Sequence, residues 1–216
     1  MSLVNKELFD LANTLSLDET IKKYICIDED EYQGRFNVAL TSKGNIYVWG
    51  DNKYNQCCLG ANAEEYIRDP IKINMKDKCK KKEKVINVVA GKRHCIVLTN
   101  HSNLYSWGHN IFGQCGLGFS SNIVEKPTMI RTIRLNKNEK IKRVCSGKFY
   151  SLALTNLGTL FLWGSNKYRY CAINFKKTCL KPTKIVFGND KIIRDIAVTK
   201  YNNSVALTSK GKVYCW

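Results

Sequence analysis

Residues 103–118 read NLYSWGHNIFGQCGLG. A short alternating run leads to Trp107, Gly108 follows at once, and Gly113, Gly116 and Gly118 close the stretch. Alternation marks a half-buried strand, and glycine admits the backbone angles of tight turns. The arrangement recurs around Trp49, Trp107, Trp163 and Trp216, at spacings of 58, 56 and 53 residues. The copies are FNVALTSKGNIYVWGDNKYNQCCLG, HCIVLTNHSNLYSWGHNIFGQCGLG, YSLALTNLGTLFLWGSNKYRYCAI and NSVALTSKGKVYCW. All three prolines, Pro70, Pro127 and Pro182, fall at matching offsets, each with an isoleucine three residues on. VINVVAG, IKRVCSG and IRDIAVT match as well. A period of this length indicates an array of supersecondary units.

Each unit reads as β structure. FNVALT and NIYVWG are short, alternating, and rich in β-branched and aromatic residues. SKG, HSN, NLG and SKG separate the two runs, and the last residue of each turn is of a type that tolerates positive φ. The Pro-x-x-Ile and Ile-x-x-Val segments add two outer strands, with proline at a strand's first position, where no donor is lost. Four short antiparallel strands per unit predict a propeller blade. The tryptophans are expected between adjacent blades with their indole N–H groups satisfied. Asn52, Asn110 and Asn166 are expected to close Asx turns. Cys57, Cys115 and Cys171 read as small buried residues rather than metal ligands, because ligands repeated once per blade do not converge.

In the second unit, Gly91, His94, Leu98, Thr99, Leu104, Tyr105, Trp107, Gly108, Asn110, Gly113, Gln114, Gly116 and Gly118 form an order that resembles the regulator of chromosome condensation repeat. The resemblance covers about residues 20–216. It departs at Cys115, where the family has Leu, and in the third unit, which reads RYCAIN and lacks the glycines. It implies an all-β, seven-bladed propeller. This chain supplies blades at about 20–74, 85–133 and 141–187, with part of a fourth at 192–216. The expectation is an open arc of about four blades with more blades following Trp216. A short propeller closed by TIKKYICI is the alternative. Residues 1–19 lie outside the repeat, and LVNKELFDLANTL has the spacing of a short helix packed on the first blade.

Charge bounds the partners. Lys and Arg number 35 against 18 acids, a balance of +17, which favours acidic partners or nucleic acid but also fits a solvated surface. No apolar run approaches the roughly 20 residues that cross a bilayer, and the first residues are charged too early for a secretory signal. The reading is an intracellular protein, nuclear or cytoplasmic, with reduced thiols and no membrane partner.

The resemblance also implies a function. The archetype of the family exchanges guanine nucleotide on the small GTPase Ran, using acidic residues in the Gly-x-x-His loops, and docks on chromatin. Here those loops read Gly-Lys-Arg-His at 91–94, Gly-Lys-Phe-Tyr at 147–150 and Thr-Lys-Tyr-Asn at 199–202, so the acids do not carry over. The run Asp28, Glu29, Asp30, Glu31 is open to a substitute role or to a solvated loop. The preferred reading is a protein-interaction scaffold. Its partner surface joins the basic Arg35, Lys92, Arg93, Lys148 and Lys200 with Phe36, His94, Phe149, Tyr150 and Tyr201. A basic face studded with rings suits an acidic protein patch or phosphate groups. The alternative is guanine-nucleotide exchange with chromatin association.

Two shorter features add candidates. KDKCKKKEK at 76–84 reads as an import signal, a DNA-phosphate contact or a solvated insert. KIVF at 184–187 has the form of a peptide that protein phosphatase 1 accepts as an added strand, yet it follows Pro182, where a blade strand is expected. Nothing points to an enzyme, a cofactor or a metal. The histidines are His94, His101 and His109, and no nucleophile motif, zinc spacing or phosphate-cradling loop accompanies them.

Overall fold

The computed structural model describes residues 3–27, 35–60, 62–75, 82–167, 178–187, 192–199 and 202–216. A helix, α1 (Leu3–Thr14), precedes four antiparallel sheets. The first sheet is β1 (Ile21–Ile27), β2 (Phe36–Thr41), β3 (Ile46–Asp51) and β4 (Tyr66–Ile73). The second is β5 (Val85–Ala90), β6 (His94–Thr99), β7 (Leu104–Asn110) and β8 (Ser121–Met129). The third is β9 (Ile141–Ser146), β10 (Tyr150–Thr155), β11 (Leu160–Ser165) and β12 (Thr178–Ile185). The fourth has β13 (Ile193–Val198), β14 (Ser204–Thr208) and β15 (Val213–Cys215). Strand order follows chain order in every sheet. The sheets are propeller blades in an open arc, not a closed ring.

The Ile-x-x-Val strands are the inner ones. β1 packs on β5, β5 on β9 and β9 on β13, so the first strands of successive blades face one another. Each has a register shift after its opening residue, at Ile21/Lys23, Val85/Asn87, Ile141/Arg143 and Ile193/Asp195. A bulge re-aims the side chain that follows it. Lys23 Nζ thereby donates to Asn87 Oδ1 at 2.8 Å and Val88 O at 2.7 Å in the next blade. Arg143 Nη1 donates to the Asp195 carboxylate and to Ile196 O, again one blade on.

Blade-to-blade packing follows the tryptophans. Trp49, Trp107 and Trp163 are fully buried. Trp107 Nε1 donates to Gln56 O at 2.8 Å and Trp163 Nε1 to Gln114 O at 2.9 Å, so each indole is satisfied by the preceding blade. Gly116 makes that seat possible. Its φ is +71°, and a Cβ there would lie 2.7 Å from Trp163 Nε1. The glycine directly after the tryptophan has a different task. Gly108 (φ +96°) forms the bulge between β7 and β8, and a Cβ would stand 2.5 Å from Arg93 O. Trp-Gly is therefore an anchor followed by a bulge.

Several local expectations are corrected. Positive φ in the second hairpin falls on Ser102 (62°), not on Asn103, because the turn is one residue offset from the HSN reading. Pro70, Pro127 and Pro182 lie inside β4, β8 and β12 rather than at their starts. Those are edge strands, where the missing N–H costs no ladder bond. Asn110 does not close an Asx turn. Its Oδ1 accepts from Cys115 N, five residues on, and its amide donates to Phe119 O, tying the whole loop shut. Asn52 does the same with Cys57 N and Glu64 O.

Leu11 of α1 is buried against the first blade, with Leu8 and Leu15 partly buried beside it. KIVF is occupied as structure. Lys184 and Ile185 pair with β11, and the Phe187 ring stacks on Tyr214 at 4.7 Å and meets Trp216 at 5.2 Å. The structural role of KIVF therefore accounts for its sequence without a phosphatase.

Candidate partner-binding face

The residues just before β2, β6 and β10 (Arg35, Arg93 and Phe149) are bonded to the ends of β3, β7 and β11, at one end of the blades. Their backbones are stitched. Arg35 O accepts from Asp51 N at 2.7 Å, Arg93 O from His109 N at 2.8 Å, and Phe149 O from Ser165 N at 2.8 Å. Lys92 N donates to Lys148 O at 3.1 Å, and Lys148 N to Asn202 Oδ1 at 2.6 Å, so neighbouring blades share the network. Loops held this way lose little freedom when a partner arrives.

The ten residues singled out from the sequence separate into three groups. Arg35 and Lys148 are exposed, and Lys92, Arg93 and Phe149 are half-buried at the surface. Phe36, His94 and Tyr150 are buried to 1% exposure or less, which removes them from a partner surface. Lys200 and Tyr201 lie outside the described residues, as do the Asp28–Glu31 run and most of the basic 76–84 stretch.

His94 and Tyr150 hydrogen-bond to the next blade instead. His94 Nε2 lies 2.9 Å from both Ser146 Oγ and Ser151 Oγ. Tyr150 Oη donates to Asn202 O at 2.7 Å, and Ser204 Oγ is 2.8 Å away. His94 thus meets the serine that ends β9 and the second residue of β10, and Tyr150 meets the serine that opens β14. Phe36 has no polar atom to offer, and the matching position in the second blade is Cys95, in the same apolar cluster. Burial lowers the His94 pKa to about 3, with the charge of His109 adding to it, so the ring is neutral here. Its Nδ1 has no hydrogen-bond partner.

Sequence reading missed two half-buried rings that complete the surface, Tyr54 and Phe112, and the buried His109 that joins them. The Arg93 guanidinium lies 4.0 Å from the centroid of Tyr54. Tyr54 meets His109 at 4.7 Å, His109 meets Phe112 at 6.2 Å, and Phe112 meets Phe149 at 5.5 Å, all edge to face. Lys148 Nζ sits 5.9 Å from the Phe149 centroid. His109 is held from behind: its Nδ1 is 2.9 Å from Gln114 Nε2 and accepts that proton. Burial, then the Arg93 charge, lowers its pKa to about 4. Tyr54 and Phe112 each sit five residues after a tryptophan, Trp49 and Trp107, and His109 sits two after Trp107. That repeated offset was the available signal.

The opposite end of the blades has a different construction. Glu19 accepts from Thr41 Oγ1 and from Asn45 Nδ2. Glu83 accepts from Thr99 Oγ1 at 2.6 Å and Asn103 Nδ2 at 2.8 Å, and Glu139 from Thr155 Oγ1 at 2.8 Å. Burial alone would raise the Glu19 and Glu139 carboxyls, but these hydrogen bonds outweigh it and both pKa values are lowered. An open cleft of about 450 Å³ lies here between the first two blades, with Lys43, Lys72, Lys84 and Glu83 among its lining. Lys43 is paired with Asp18 at 2.5 Å. Among the described residues no group of three or more His, Cys, Asp or Glu is arranged to hold a metal ion. No described helix is long and apolar enough to cross a membrane.

Bladed sheets stacked through inner strands, with tryptophans seated on the preceding loop, define a β-propeller repeat protein. A family model described as "Regulator of chromosome condensation (RCC1) repeat" matches residues 43–98 and 102–154, and a second model of that repeat matches 85–114. The chain belongs to the regulator of chromosome condensation repeat family. It is 28% identical over 178 residues to human "Probable E3 ubiquitin-protein ligase HERC4", covering 82% of this chain and 16% of that protein. It is 28% identical over 200 residues to "Protein pim1" of Schizosaccharomyces pombe, covering 83% of this chain and 34% of the relative. Among solved structures, human WBSCR16 aligns at 25% identity with a TM-score of 0.73, over 94% of this chain and 49% of that one. Yeast RCC1 (Prp20), solved with Kap60, aligns at 24% identity with a TM-score of 0.65, over 91% and 44%, a likeness of fold. The chain thus spans half or less of each of these proteins.

Proposed function

We propose that the chain is a protein-interaction scaffold that binds an acidic protein or a phosphate-bearing partner through its loop face, inside the cell. Arg35, Lys92, Arg93, Lys148 and Phe149 are the contact residues. One observation carries the reading: the described surface residues just before β2, β6 and β10 (Arg35, Lys92, Arg93, Lys148 and Phe149) are cationic or aromatic, on a backbone stitched across blades, over a layer that is buried and structural. Charge complementarity at such a face sets association rate and specificity.

The test is charge reversal. Lys92→Glu, Arg93→Glu and Lys148→Glu together are expected to abolish capture of the partner from cell extract while the melting temperature is unchanged. Undiminished capture would contradict the reading. Guanine-nucleotide exchange, the activity of the family's archetype, is the second reading. Lysine and arginine at 92, 93 and 148 stand where that activity calls for carboxylates, which favours the scaffold. A nucleotide-release assay on any GTPase recovered with the chain is expected to show no acceleration. Acceleration lost on charge reversal would instead favour the exchanger. Chromatin or DNA contact through the basic surface predicts a steep loss of affinity with salt, and a flat salt titration removes it.

A further inference from the structure

The rings and cations of the loop face form one strip, and its geometry states what it fits. Tyr54 belongs to the first blade, Arg93, His109 and Phe112 to the second, and Lys148 and Phe149 to the third. Ring-to-ring steps along the strip are 4.7, 6.2 and 5.5 Å. Alternate side chains of an extended peptide lie about 6.6 Å apart, close to the two longer steps. A cation stands at each end: Arg93 over Tyr54, Lys148 beside Phe149. The Asp51 carboxylate, at the end of β3, is already engaged, one oxygen accepting from Gln56 Nε2 at 2.9 Å and the other from Lys53 N at 3.1 Å. His109 does not add a charge at neutral pH, because burial and Arg93 keep it neutral.

We infer that this strip binds an extended, acidic peptide segment that carries an aromatic residue. The aromatic side chain packs against Phe112 and Phe149, and carboxylates on either side meet Arg93 and Lys148. The inference rests on the scaffold reading and names the partner's chemistry at that face. A single nucleic-acid strand is disfavoured by the ring angles. Neighbouring rings are turned 65°, 84° and 63° to one another. Successive bases need parallel platforms on which to stack, and edge-to-face rings offer none. Half-buried aromatics flanked by cations are also the composition of protein-binding hot spots.

The experiment uses the 216-residue chain and fluorescence anisotropy with three labelled probes. The first is a Glu-rich peptide with one central Phe, the second has every Glu replaced by Lys, and the third is oligothymidine. Only the first is expected to bind, with affinity falling as salt rises. Lys148→Glu is expected to weaken it about tenfold or more, and Phe112→Leu, which retains bulk and folding, by several-fold. Lys84→Glu, at the far end of the blades, is expected to leave it unchanged. Equal binding by the Lys148 and Phe112 variants overturns the inference. So does oligothymidine binding that depends on those residues. If the triple charge reversal abolishes partner capture but the Glu-rich peptide neither binds nor competes, this inference fails and the scaffold reading stands. If capture also survives charge reversal, both fail.

Discussion

The hairpin-turn end of the first three blades is built three times from the same parts, and the loop end repeats its backbone bonds but changes its surface side chains from blade to blade. At the turn end, Glu19, Glu83 and Glu139 accept from Thr41, Thr99 and Thr155 in turn. Ser42, Asn100 and Asn156 each tie their backbone N–H to the residue that precedes an inner strand or its neighbour, at Thr20, Lys84 and Lys140. At the loop end, the residues just before the second strands are Arg35, Arg93 and Phe149, and the rings that join them are Tyr54, His109 and Phe112. Repetition marks the positions that every blade needs in order to close its sheet. Divergence at exposed positions marks those released from that need, and loops on a rigid scaffold are where binding resides.

The layer between the two ends carries the largest energies, and its loss should blur the comparison altogether. Trp163→Ala removes a fully buried indole and orphans one of the bonds to Gln114 O. A cost of about 3–5 kcal/mol is expected, read by urea unfolding. A smaller change would mean that the blades do not depend on this seat.

Next in size is the His94 junction, which can be read by pH. Its folded pKa, near 3, lies below the ordinary 6.5. The unfolded chain therefore takes up the proton first, and the stability this neutral ring contributes is present above pH 6.5 and lost as pH falls. Down to about pH 4 the loss is roughly 3 kcal/mol at most. His94→Gln is expected to be less stable at neutral pH and to have a flatter acid limb than the parent. Parallel limbs would show that the ring is not buried neutral.

At the turn end, Glu139→Ala is expected to cost about 1–3 kcal/mol by leaving Thr155 Oγ1 without its acceptor. Because the Glu139 pKa is lowered, its contribution is full above the usual value of 4.5 and is lost below it. The deficit of the variant should therefore narrow under acid, and a deficit constant with pH would count against the clamp. The smallest stability effect belongs to the loop end. Lys148→Glu is expected to move the midpoint by less than about 0.5 kcal/mol, even though it weakens peptide binding.

Much of the fold was legible because the repeat displays it several times over. Strands, hairpins, blade boundaries and the tryptophan seats all recur at fixed offsets. What escaped was a matter of single atoms in space. The Glu19, Glu83 and Glu139 clamp was hidden among 18 acids, since one carboxylate per blade is no pattern until its threonine is seen to face it. Ser102 was missed because HSN was aligned on the glycine of SKG one residue too late. Phe36, His94 and Tyr150 share a loop with exposed cations, and sequence adjacency does not show that one side chain turns inward while its neighbour turns out. The strip from Tyr54 to Phe149 joins three blades, so no local window contains it.

The division of labour between the two ends is tested most directly by matched charge reversal. One variant carries Lys92→Glu, Arg93→Glu and Lys148→Glu at the loop end, and the other carries Lys72→Glu, Lys84→Glu and Lys140→Glu at the turn end. Partner capture is compared for both at equal folded concentration. Loss in the first with retention in the second is the predicted result. Equal loss in both, or loss only in the second, would contradict it.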